Sequence, residues 1–186
     1  MIKQSRDYIA KRKKHFLMMS GIWTLIIVGL FLFGIAITKD RGNMFTVLAA
    51  VMTLGLAQNI TRLISFGRYK DPKEKHSKIL DNMKGSLGIY HSAVIPDTTA
   101  TVFFEHIVVT SRNIYFISKD KEMIEKTKGW LAGRLDNKGI NSGNIHFIIA
   151  TDSKGIKNAS IKIEKDACYT SEGLDKHNKI IEAILM

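Results

Sequence analysis

Cysteine is nearly missing from this chain: Cys168 stands alone among 186 residues. An intrachain disulfide and a Cys-rich zinc site are therefore excluded, and the usage suits a reducing compartment. Its Asp-Ala-Cys-Tyr setting has no adjacent basic residue, so the thiol reads as ordinary rather than nucleophilic. No GxGxxG or Walker-type loop is present, and no nucleotide cofactor is expected. No HxH or HExxH spacing joins His91, His106 and His146, which read as satisfied core or edge histidines rather than metal ligands. No GxSxG elbow supports a serine nucleophile. The absence with the largest consequence is charge, since no charged side chain occurs from Phe16 to Thr38.

That run, FLMMSGIWTLIIVGLFLFGIAIT, exceeds the ~20 apolar residues needed to cross a hydrocarbon core. It is longer than the about 7–15 residues of a signal h-region, and it leads through Lys39-Asp40-Arg41 straight into a second apolar run. The sequence predicts a two-helix transmembrane hairpin over 16–66, with spans 16–38 and 44–66. Helices are the open-chain solution there, because each bonds its own backbone in lipid. Ala49, Thr53 and Ala57 recur every four residues and predict a close-approach face on the second span, with Gly29, Gly34 and Thr38 opposite. Trp23 reads as a packing residue. Gln58, Asn59, Thr61 and Arg62 form a polar end, where Arg62 is placed to snorkel to the interface. The Asn59-Ile60-Thr61 triplet falls within the bilayer and is no glycosylation acceptor.

The net charge of +11 is unevenly distributed. Lys3, Arg6, Lys11, Arg12, Lys13 and Lys14 precede the first span; Arg62, Arg68, Lys70, Lys73, Lys75 and Lys78 lie at or beyond the end of the second. The connector has only Lys39 and Arg41. The positive-inside rule then places both termini in the cytoplasm and the protein in the cell inner (plasma) membrane as a multi-pass chain. Residues 1–15 read as a basic cytoplasmic flank, a short extension of the first helix at the headgroups. Basic residues massed beside spans point to membrane lipid as a partner rather than nucleic acid.

Residues 67–186 have the usual size of one compact cytoplasmic domain. Pro72 after Asp71, helical spacing of Ile79, Leu80 and Met83, and Gly85 predict a helix over 72–84. Strands are expected at 88–95, 101–110 and 113–118, an antiparallel meander. In the second of them, strict alternation puts Phe103, Glu105, Ile107 and Val109 on one face, and Val102, Phe104, His106 and Val108 on the other. A helix over 119–136, a strand over 145–150, a further strand over 159–163 and a closing helix marked by Leu174, Ile180, Ile181 and Leu185 complete the pattern. The expected class is α/β, an αβββαβ domain with a closing helix.

The segment FFEHIVVTSRNIYFIS, 103–118, resembles the core of the nuclease-related domain of the restriction-endonuclease-like fold. That resemblance implies Glu105 as the first acid, His106 as the family histidine, and an acid-x-Lys at the end of the third strand. Here Ile117 occupies the acid's place before Lys119. Phosphodiester hydrolysis needs converging carboxylates on Mg²⁺, so the alternative function, a membrane-attached metal-dependent phosphodiesterase, would draw on Glu105, Asp97 and Asp120. The stretch IVVTSRNIYFIS also resembles the Thr-x-x-Arg hairpin of GRAM and bacterial pleckstrin-homology-like domains, which a long helix after three strands fits poorly. The function expected is a membrane-anchored cytoplasmic binding or scaffold domain for a protein partner, without catalysis or cofactor.

Overall fold

The computed structural model describes residues 2–96, 101–167 and 173–185. Two compact units emerge: Ile9–Lys70, and Met1–Tyr8 together with Asp71–Met186.

The first unit is a helical hairpin. Helix α1 spans Tyr8–Thr38 and α2 spans Met44–Gly67. Both are long and apolar enough to cross a membrane, with mean hydropathies of 2.3 and 1.5. Lys39 ends α1 in the left-handed region at φ 55°. Asn43 then starts α2, accepting from the Thr46 amide at 3.0 Å while its own amide donates to Thr38 Oγ1 at 2.9 Å. The connector thus satisfies helix-end groups by itself.

The packing seam differs from the expected small-residue face. On α1 the less exposed positions from Phe16 onward include Ser20, Trp23, Ile27, Leu30 and Gly34; on α2 they include Phe45, Ala49, Met52, Leu56, Asn59, Leu63 and Phe66. Both series alternate steps of three and four, the 3.5-residue repeat of a two-helix seam. Phe16 meets Phe66 at 5.7 Å between ring centroids, and Trp23 covers Gly55. Gly34 is the tight point, where a Cβ would lie 2.6 Å from Phe45 Cβ. Thr53, Ala57, Gly29 and Thr38 are exposed instead. Steps of four overshoot a 3.6-residue turn by about 40° each, so Ala57 has rotated off the seam that Ala49 occupies.

The second unit is a mixed five-stranded sheet in the order β1-β2-β3-β4-β5. Its strands are β1 (Ile2–Gln4), β2 (Gly88–Pro96), β3 (Thr101–Val109), β4 (Ile114–Ser118) and β5 (Ile145–Ile149). The meander β2-β3-β4 is antiparallel, and β5 joins β4 in parallel after the crossover helix α4 (Lys121–Asp136). Helix α3 (Glu74–Asp81) precedes the meander, and α5 (Ser153–Asp166) and α6 (Leu174–Glu182) follow β5. One core cluster joins Tyr90, Phe104, Ile107 and Phe116 to α4 and α6; the other joins Ile89, Val108, Tyr115 and Ile117 to α3 and α5. The sheet is covered on both faces, as its apolar strands require.

Two expectations are corrected. Residues 159–163 belong to helix α5, not to a strand: Asp152 caps it through the Gly155 amide at 2.7 Å, and Ile156, Ala159, Ser160 and Ile163 form its buried face. Residues 2–4 do not extend α1 but pair in parallel with β2 as an edge strand.

Candidate functional site

Strand alternation breaks at one point, and polar residues gather there. Val102, Phe104, Ile107 and Val109 all join the first core cluster, so β3 changes parity between Phe104 and Ile107. In β2, Ile89 belongs to the second cluster, while Ala93 and Ile95 belong to the first. The register pairs His91 with His106 and Ala93 with Phe104, which brackets Ser92 and Glu105. Ser92 adopts φ 54°, a left-handed conformation that costs a non-glycine residue roughly 1–3 kcal/mol. The strict alternation expected for β3 is thereby corrected: its faces exchange between Phe104 and Ile107, beside the left-handed Ser92 of β2.

Ser92 is wholly buried and holds two chain segments. Its hydroxyl faces Asp71 Oδ1 at 2.6 Å and Arg6 O at 3.1 Å, and its carbonyl accepts from Gln4 Nε2 at 3.1 Å. Arg6 lies just before α1, and Asp71 lies just beyond α2.

Beside it runs a chain of imidazoles. His91 Nε2 lies 2.8 Å from Asp81 Oδ1 at the end of α3, and His91 Nδ1 lies 2.8 Å from His106 Nδ1. Both rings are buried. A carboxylate only accepts, so Nε2–H of His91 donates to Asp81. With His91 neutral, its Nδ1 accepts from Nδ1–H of His106, and the lone pair falls on His106 Nε2. That nitrogen is buried and has no hydrogen-bond partner among the described residues, as is also true of Ser77 Oγ on α3. Burial lowers the His91 pKa against the opposing pull of Asp81, and Arg6 lowers it further. Burial, then His91 and His76, hold His106 well below the ordinary histidine value. A hydrogen-bonded chain ending in an orphan lone pair is a site that can take up a proton or a donor group.

Of the three carboxylates expected from sequence, two lie among the described residues. Glu105 is 8% exposed and pairs with Lys119, Oε1 to Nζ at 3.2 Å. Asp120 caps α4, accepting from the Met123 amide at 3.0 Å. Asp97 and Cys168 lie outside the described residues. Among the described residues no group of three or more His, Cys, Asp or Glu is arranged to hold a metal ion. His146 stacks on Tyr115, with ring centroids 5.0 Å apart, away from the other two strand histidines.

The relay was readable in part. Counting back from the Pro96–Thr101 pair that closes the hairpin brings His91 opposite His106. Asp81 and the Ser92 turn carried no such signal, since both depend on how α3 and the chain ends pack against β2. Compared with protein-family models, with curated proteins and with solved structures, the chain matches none.

Proposed function

We propose that the chain is an integral membrane protein whose hairpin tethers the α/β unit at the lipid surface as a binding or scaffold domain for a protein partner. The observation that supports this reading is the outward apolar surface of the hairpin. Leu25 is 75% exposed, Met44 87%, Val47 65% and Leu54 65%. Water cannot solvate such a surface cheaply, whereas lipid tails can. Lys and Arg on both flanks favour cytoplasmic termini in a cell inner membrane. Tethering then raises the domain's effective concentration for any partner at the same surface.

Topology gives the test. In a Cys168→Ala background, Gly42→Cys places a thiol in open space within the connector, and Lys138→Cys places one on the α/β unit. An impermeant maleimide on intact cells is expected to label position 42 and to reach position 138 only after permeabilisation. The reverse pattern would overturn the orientation. Recovery of the chain from a detergent-free soluble fraction would overturn the anchor. Metal-dependent cleavage of DNA or RNA that disappears in Glu105→Ala would replace the binding role with an enzymatic one.

A further inference from the structure

The unused polar chain and the strained serine are neighbours in sequence. We propose that the Asp81–His91–His106 chain is a proton-operated latch that governs how firmly Ser92 holds the chain segments entering α1 and leaving α2. This inference goes beyond tethering; its consequence for the hairpin rests on the anchor reading, whereas the latch itself lies wholly within the α/β unit.

Two placements carry it. First, His106 Nε2 is a buried acceptor without a hydrogen-bond partner among the described residues, at the end of a chain whose other end is a carboxylate. Its single direction of hydrogen bonding allows one added proton to be relayed. The proton bonds to His106 Nε2, the Nδ1 proton of His106 passes to His91 Nδ1, and the positive charge comes to rest on His91 against Asp81. One proton is gained in all: N–H bonds form at His106 Nε2 and at His91 Nδ1, and the N–H bond at His106 Nδ1 breaks. Second, His91 is bonded in the chain to Ser92, whose left-handed backbone sets the change of face and whose polar atoms contact Gln4, Arg6 and Asp71.

The surroundings oppose the charged form. His76 from α3 and Arg6 from the segment before α1 both disfavour a cation here, and among the described residues Asp81 favours it. On β3, Glu105 is already paired with Lys119. The buried nitrogen has no route to water without movement of the elements covering it. Proton uptake is therefore coupled to opening, and the left-handed turn at Ser92 is where stored strain is released on opening.

Hydrogen exchange on the full chain in detergent micelles tests this. The amides of 3–7 and 69–75 are to be followed between about pH 7.5 and 5.5, after correction for intrinsic exchange. Opening that takes up one proton gains a factor of ten per pH unit below the ordinary histidine value of 6.5, so about a tenfold rise is expected. His106→Phe, which removes the acceptor, is expected to abolish the rise. Ser92→Gly, which relieves the turn and deletes the hydroxyl, is expected to give fast exchange in these segments already at pH 7.5. Exchange independent of pH in the wild type, or equally pH-dependent in His106→Phe, would overturn the proposal. Should His106→Phe fail to fold, histidine ¹⁵N spectra of the wild type decide: two protonated ring nitrogens on His106 at neutral pH would overturn it. A chain that proves soluble would still show the exchange pattern, so failure of the anchor and failure of the latch are separable.

Discussion

His106 turns an ordinary core position into a pH-dependent one. Because the folded chain holds His91 and His106 below the ordinary histidine value of 6.5, the unfolded chain binds more protons than the folded chain just under that value. Stability therefore rises with pH through that window and is lost as pH falls from 6.5 toward the depressed folded values. The limiting slope is about 1.4 kcal/mol per pH unit for each proton. In a Trp23→Phe background Trp130, packed against the first core cluster, reports on the α/β unit alone. Its urea midpoint is expected to fall between about pH 7 and 5.5, and a pH-independent midpoint would show that the pair does not titrate on unfolding. Tyr115 offers a contrasting case. Its hydroxyl donates to Asp166, which helps to fasten β4 to the end of α5. Tyr115→Phe is expected to lower the same midpoint by roughly 1 kcal/mol equivalent, without changing its pH dependence near neutrality.

At the scale of elements, the contact between β2 and α6 is the least tolerant. A Cβ on Gly88 would lie 2.1 Å from Asn178 Oδ1, and that side chain accepts from the Tyr90 hydroxyl at 3.1 Å. Gly88→Ala is expected to cost about 1–3 kcal/mol, and exchange protection of 174–182 is expected to fall first, since the methyl would displace the Asn178 side chain that α6 packs there. Equal protection in the variant would show that Asn178 rotates aside. Elements of this kind were legible to different degrees. The strands β2, β3 and β4 were readable because runs such as YFI and IVV are bounded by turn residues, and α4 because Ile124, Leu131 and Leu135 recur at helical spacing. Helix α5 was misread because Ala159 to Ile163, taken alone, mimics alternation; its period shows only when Ile156 is included. The faces of β3 were misassigned because period-two counting within that strand carries no sign of the change of face, which lies beside left-handed Ser92 on the neighbouring strand. Of the carboxylates expected to act as a site, only Glu105 was pointed to by resemblance; packing gives Asp120 a capping bond and Glu105 an ion pair with Lys119, neither of which sequence spacing announces.

For the whole molecule, the N-terminal residues matter more than their polarity suggests. Ile2–Gln4 completes the sheet beside β2, Gln4 bonds the Ser92 carbonyl, and Lys3 lies 3.6 Å from Glu182 of α6. Arg6 adds an ion pair to Glu74 of α3 at 3.3 Å. The α/β unit is thus discontinuous in sequence, assembled from both sides of the hairpin, so it cannot close its sheet until the hairpin has been made and the later strands have folded. A chain starting at Asp7 tests this directly. Loss of a few backbone and side-chain hydrogen bonds at an edge is expected to lower the stability reported by Trp130 by roughly 1–3 kcal/mol. Exchange at 88–92 is expected to rise, because the β2 edge then faces solvent. An unchanged midpoint would mean that residues 67–186 form a self-sufficient domain and that the N-terminal strand is only draped on its edge. A reduced midpoint would mean that the segment before the hairpin is a structural member of the α/β unit.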